Sequence, residues 1–130
     1  MTHLIRSVAS VLAFAGMTAL APAAALADGP QAIATAANHA GLAAAAGAVE
    51  MVHTHLHHVL NCLVGPGGDG FDAAPGNPCA NAGGGAIPQT ADAAMKTKLM
   101  AAVTQAKAGI ANADMAGAKK TATDIQAMLK

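Results

Sequence analysis

The 130-residue chain has no tryptophan and no tyrosine, and only two phenylalanines. Phe71 is the one aromatic residue beyond the N-terminal apolar segment, so there is no aromatic platform for stacking bases, sugars or flavins. Charge is equally scarce: 11% of residues are charged, and the formal net charge is zero. A nucleic-acid footprint needs a basic face, and nothing in this balance supplies one. No Cys-x-x-Cys-His occurs, which excludes covalent c-type haem attachment. There is no second long apolar run and no basic amphipathic helix to hold the protein at a membrane surface.

What is present begins with an export pattern. Arg6 is followed by an apolar, alanine-rich run from Val8 to about Leu26, which ends in Ala25-Leu26-Ala27. A basic start, an apolar middle and a small-x-small end mark a secretory signal peptide over residues 1–27, with cleavage before Asp28. Gly16 and Pro22 interrupt the run, which makes a retained transmembrane anchor the weaker reading. The expected location is periplasmic or secreted.

Residues 28–130 are expected to form a single helical domain. They hold six lysines, no arginine and seven acidic residues, a formal balance of minus one. Leu, Ile, Val and Phe together number sixteen there, and alanine fills the gap. Alanine is the best helix former and lets helices approach closely, but each one buries little apolar area. The predicted fold is therefore all-α and modestly stable. Its two cysteines, Cys62 and Cys79, form an even pair in an exported chain and are expected to be joined as a disulfide.

Helices are expected at about 30–44, 48–64, 90–110 and 114–129. Gly29-Pro30 suits a helix entry, because proline is tolerated in the first turn. Either one long helix runs from Pro30 to Val64, or a hairpin turns near Ala44 to Gly47. Ala40-Gly41-Leu42-Ala43 is echoed by Ala108-Gly109-Ile110-Ala111, and an apolar series with helical spacing follows each copy. The first series is Val49, Val52, Leu56, Val59, Leu63; the second is Met115, Ala118, Ala122, Ile125, Leu129. Asn112 and Asp114 are turn and cap residues, so the second copy reads as a hairpin and the first by analogy. Residues 65–89, with eight glycines and four prolines, read as an irregular crossover loop tied back by the disulfide. Thr90 and Asp92 suit the start of the next helix, whose buried face is expected to be Met95, Leu99, Val103, Ala106 and Ile110. The simplest assembly is a four-helix bundle of two antiparallel αα-hairpins.

Four of the six histidines lie between His53 and His58. At about 100° per residue they fall on two stripes flanking the apolar seam. Glu50, His53 and His57 form one stripe, and across a hairpin turn His39 could join them, so His39, Glu50, His53 and His57 are the first candidate metal set. The second stripe is Met51, His55 and His58, ending at Cys62. A free thiol there would favour copper, but a disulfide removes Cys62 from ligand duty and makes it a clamp. The first stripe is therefore preferred. Copper, zinc and nickel all accept such donors.

Several other readings stand beside metal binding. Noncovalent b-type haem fits a helical architecture, but the low content of large apolar residues argues against a porphyrin pocket. The imidazoles could act together as a pH sensor in a structural or interaction protein. Asp69-Gly70-Phe71-Asp72 is too short for an EF-hand and lacks its terminal glutamate, so it reads as a solvated loop rather than a calcium site. No nucleophile, oxyanion donors or substrate pocket can be named, so no enzymatic role is expected. A homodimer is compatible with the sequence but not indicated by it.

His39, Glu50, His53, His55, His57 and His58, together with the export pattern and the alanine-rich hairpins, resemble the small periplasmic histidine-rich metal-binding proteins of Gram-negative bacteria. That resemblance implies a helical bundle that binds or buffers copper or other divalent ions. The chain departs from the pattern in confining these histidines to its first half and in carrying the loop bounded by Cys62 and Cys79.

Overall fold

The computed structural model describes residues 28–130; the expected signal peptide, 1–27, lies outside them. The described chain is all-helical: α1 (Asp28–Ala45), α2 (Val49–Val64), α3 (Ala86–Gln89), α4 (Ala93–Ala111) and α5 (Met115–Leu129). Helices α1 and α2 are separate, broken at residues 46–48, so the single long helix from Pro30 to Val64 does not form. Both α1 and α4 pack against α2 and α5. Among the described residues, no helix is long and apolar enough to cross a membrane.

Alanine makes the packing close. On α1 the fully buried side chains are Ala32, Ala36, Ala40 and Ala43, spaced to one helix face. The larger core side chains come from other helices: Val52, Leu56, Val59 and Leu63 on α2, Leu99 on α4 and Ile125 on α5, all fully buried. The α4 face is rotated from the expected one. Leu99, Ala102, Ala106 and Gly109 are buried, whereas Val103 and Ile110 are only partly covered and Met95 is exposed. The small residues win because α4 must approach α2 closely: a Cβ on Gly109 would lie 2.7 Å from Leu56 Cδ1.

Aspartates start the last two long helices. Asp92 accepts from Met95 N at 2.6 Å and Asp114 from Gly117 N at 2.7 Å, each satisfying an amide that the first turn leaves free. Thr90 is not the cap of α4; its hydroxyl donates to the Ala86 carbonyl at 2.7 Å and closes α3 instead. α3 itself is a helical turn inside the crossover loop, where only irregular structure was expected. Pro88 sits in its first turn, where a missing N–H costs nothing. Gln89 Nε2 donates to the carbonyls of Ala82 and Gly85, at 3.0 and 2.9 Å, and holds that turn to the loop.

The loop returns to its origin in two places. The Cys62–Cys79 disulfide joins it to the last turn of α2. At Gly65, which ends α2 with φ 72°, the backbone passes so close to Gly84 that a Cβ would strike the Gly84 carbonyl. Glycine is required there on both counts.

Candidate metal centre

Helix α2 carries its histidines on the two flanks of a buried seam. The packing decides what each flank meets. On one flank His53 Nε2 donates to the Asn112 carbonyl at 2.9 Å, in the turn between α4 and α5. His57 Nδ1 is buried with no hydrogen-bond partner, and Glu50 is exposed at the start of the helix. On the other flank His55 and His58 face α1, and His39 of α1 meets both of them.

His39, His55 and His58 thus form a cluster whose donor atoms all lie within 4.8 Å of one another, and it can hold a metal ion. Among the described residues it is the only such group of three or more histidines, cysteines or carboxylates. The structure corrects the first candidate set: His39 does not gather with Glu50, His53 and His57. It joins the His55–His58 stripe, where Met51 is half exposed and Cys62 is in the disulfide.

Two of the cluster's separations, both from His39, match a coordination shell. His39 Nδ1 lies 3.3 Å from His55 Nδ1 and 3.2 Å from His58 Nδ1. Two nitrogens on a tetrahedral zinc-like ion, each at about 2.0–2.1 Å from it, would be about 3.3–3.4 Å apart. The rings stand tilted or edge-on, with centroids 4.7 to 5.6 Å apart, so they do not stack in parallel.

Hydrogen-bond accounting leads the same way. His58 Nε2 lies 2.8 Å from the Pro75 carbonyl, which can only accept, so Nε2 carries the hydrogen. In the neutral ring its Nδ1 therefore presents a lone pair to His39. With three neutral rings only one of the two short contacts can be a full hydrogen bond; the other opposes two lone pairs or divides one hydrogen. A cation between the three lone pairs removes that conflict. The backbone carbonyl behind His58 is also the usual outer partner of a metal-binding histidine, because it holds tautomer and ring orientation.

Electrostatics keep two of the donors, His39 and His55, available. Burial, and then the neighbouring His58 and His55 rings, lower His39 from its ordinary 6.5 to about 4. His55 is lowered too, first by burial and then by His58. A depressed value means that the folded state resists a proton which the unfolded chain accepts near 6.5. Stability from His39 is thus complete above that value, falls as pH drops below it, and stops falling near 4. Thermal melts of the metal-free protein should show a loss of about 1 kcal/mol between about pH 7 and about pH 4.5, a figure discounted because the ring is partly solvated. The slope should flatten in His39→Asn; an equal slope in both proteins would assign the loss to other groups.

One element of the site escapes sequence reasoning: Pro75 has no side-chain chemistry to mark it. Cys62 carried the usable signal: it lies one turn beyond His58 on the same stripe, so its disulfide draws the loop over this flank. Comparison of the chain with protein-family models, curated proteins and solved structures finds no match.

Proposed function

We propose that this is an exported, non-catalytic protein that binds or buffers a divalent transition metal through His39, His55 and His58. The carrying observation is that His39 Nδ1 lies at coordination spacing from both His55 Nδ1 and His58 Nδ1, with donor atoms of all three within 4.8 Å of one another and His58 braced from behind by the Pro75 carbonyl. Borderline ions such as zinc, nickel or copper suit three imidazoles, and the disulfide leaves no thiolate to favour a softer ion. On this reading the four long helices form a four-helix bundle of two antiparallel hairpins, with the site between the helices of the first. Export rests on the N-terminal pattern and on the cysteine pair, which needs an oxidising compartment to persist.

Titration of the metal-free protein with Zn²⁺, Ni²⁺ and Cu²⁺ tests the reading, followed through the imidazole resonances. Saturation at one ion per chain should shift His39, His55 and His58 strongly, and His53 and His57 little. Uniform weak shifts across all five rings would remove the proposal.

A further inference from the structure

Asn61 is the one buried polar side chain among the described residues, and it is fully buried. It lies three residues after His58 and touches none of the cluster's rings in the hydrogen-bond network. Instead it holds the loop. Its Nδ2 donates to the carbonyls of Asp72 and Gly76, at 2.6 and 2.7 Å, and its Oδ1 accepts from Asp72 N at 3.0 Å. All three polar functions of the amide are therefore used, and the two carbonyls it grips bracket Pro75. The carbonyl between them is the acceptor for His58 Nε2.

We propose that Asn61 is a positioning residue of the metal centre: by gripping Asp72 and Gly76 it aims the Pro75 carbonyl at His58 Nε2 and so keeps His58 Nδ1 free as a donor. This rests on the reading of His39, His55 and His58 as a metal site. The crossover loop then has a defined task, which is to fix which nitrogen of His58 carries the hydrogen. Without that acceptor a neutral histidine divides between its two tautomers, and the fraction with hydrogen on Nδ1 cannot bind a cation there. Gly76 belongs to the same device. At φ 102° it holds a conformation that L side chains rarely adopt, so an alanine there would turn the peptide that carries the Pro75 carbonyl. The Cβ itself would meet only His58 Nε2, at an ordinary 3.6 Å, so the effect would come through the backbone.

The test uses the intact disulfide-bonded protein, Asn61→Ala and Gly76→Ala. Gly76→Ala leaves the buried amide in place and serves if Asn61→Ala does not fold. Nitrogen-15 shifts of the imidazoles, recorded without metal, report the His58 tautomer, and zinc titration reports affinity. The parent should show His58 with hydrogen on Nε2. The variants should show a mixture, with helicity retained and zinc affinity lower by about 10- to 100-fold. Three results would overturn the proposal: hydrogen on Nδ1 of His58 in the parent, an unchanged tautomer in both variants, or reduced affinity with an unchanged tautomer, which is mere structural damage. Absence of zinc binding by the parent would instead sink the metal reading, and the metal-free tautomer data would still decide whether Asn61 positions His58.

Discussion

His39→Ala is expected to lower zinc affinity by more than about 100-fold, because loss of an outer partner alone typically costs about 10- to 100-fold and this change removes a donor. The three-nitrogen set would become a two-nitrogen pair on adjacent turns of α2, with no donor from α1. His39 is half-buried at the packing surface, so its removal should leave the helices intact. The comparison with the other flank makes the result specific. His53→Ala and His57→Ala should each leave affinity within about two-fold of the parent, since neither ring belongs to the cluster. His53→Ala will still cost some stability, because it strands the Asn112 carbonyl that His53 satisfies. Calorimetric titration separates the cases: a large loss with His53→Ala or His57→Ala and none with His39→Ala would move the site to the opposite flank.

The second large effect concerns the Cys62–Cys79 clamp. It closes a segment with a sequence separation of 17, and on chain entropy alone such a crosslink stabilises by about 3 kcal/mol. That is a substantial fraction of the roughly 5–15 kcal/mol typical of a domain. The paired Cys62→Ser and Cys79→Ser protein should melt more than about 10 °C lower than the disulfide-bonded parent. Both sulfurs are buried, so the serine hydroxyls add a desolvation cost, and the parent treated with a reductant is the cleaner comparison. The double serine variant should also bind zinc more weakly, because the same loop carries the Pro75 carbonyl; zinc affinity is read on that variant because reduction frees the Cys62 thiol as a ligand. A melting temperature unchanged by reduction would show that the Asn61 contacts alone hold the loop.

Much of the fold was legible because alanine, glycine and aspartate have few alternatives. The aspartates at 92 and 114 begin helices wherever they precede a helix-forming run, and a stretch with eight glycines cannot hold a long helix. The α2 seam from Val52 to Leu63 was readable for the same reason: large apolar residues at helical spacing have one way to be buried. The α4 face was harder. Met95, Val103 and Ile110 outweigh Ala102 and Gly109 in hydrophobicity, but close approach to Leu56 selects small residues over large ones.

The histidine pair on each flank of α2 follows from spacing alone, since the helical period permits no other division. The joining of Cys62 to Cys79 is expected on other grounds, an even pair of cysteines in a chain read as exported, and the disulfide is present. Which flank faces α1 does not follow. A seam flanked by two similar stripes is compatible with a neighbouring helix on either side, and the side that α1 takes is settled by how its alanine face fits α2 and α5 together. That packing places His39 beside His55 and His58, and the disulfide brings Asn61's loop to the same side. The helix, its seam and its two histidine stripes were determined locally by sequence; the cluster of His39, His55 and His58 exists only where separate segments meet.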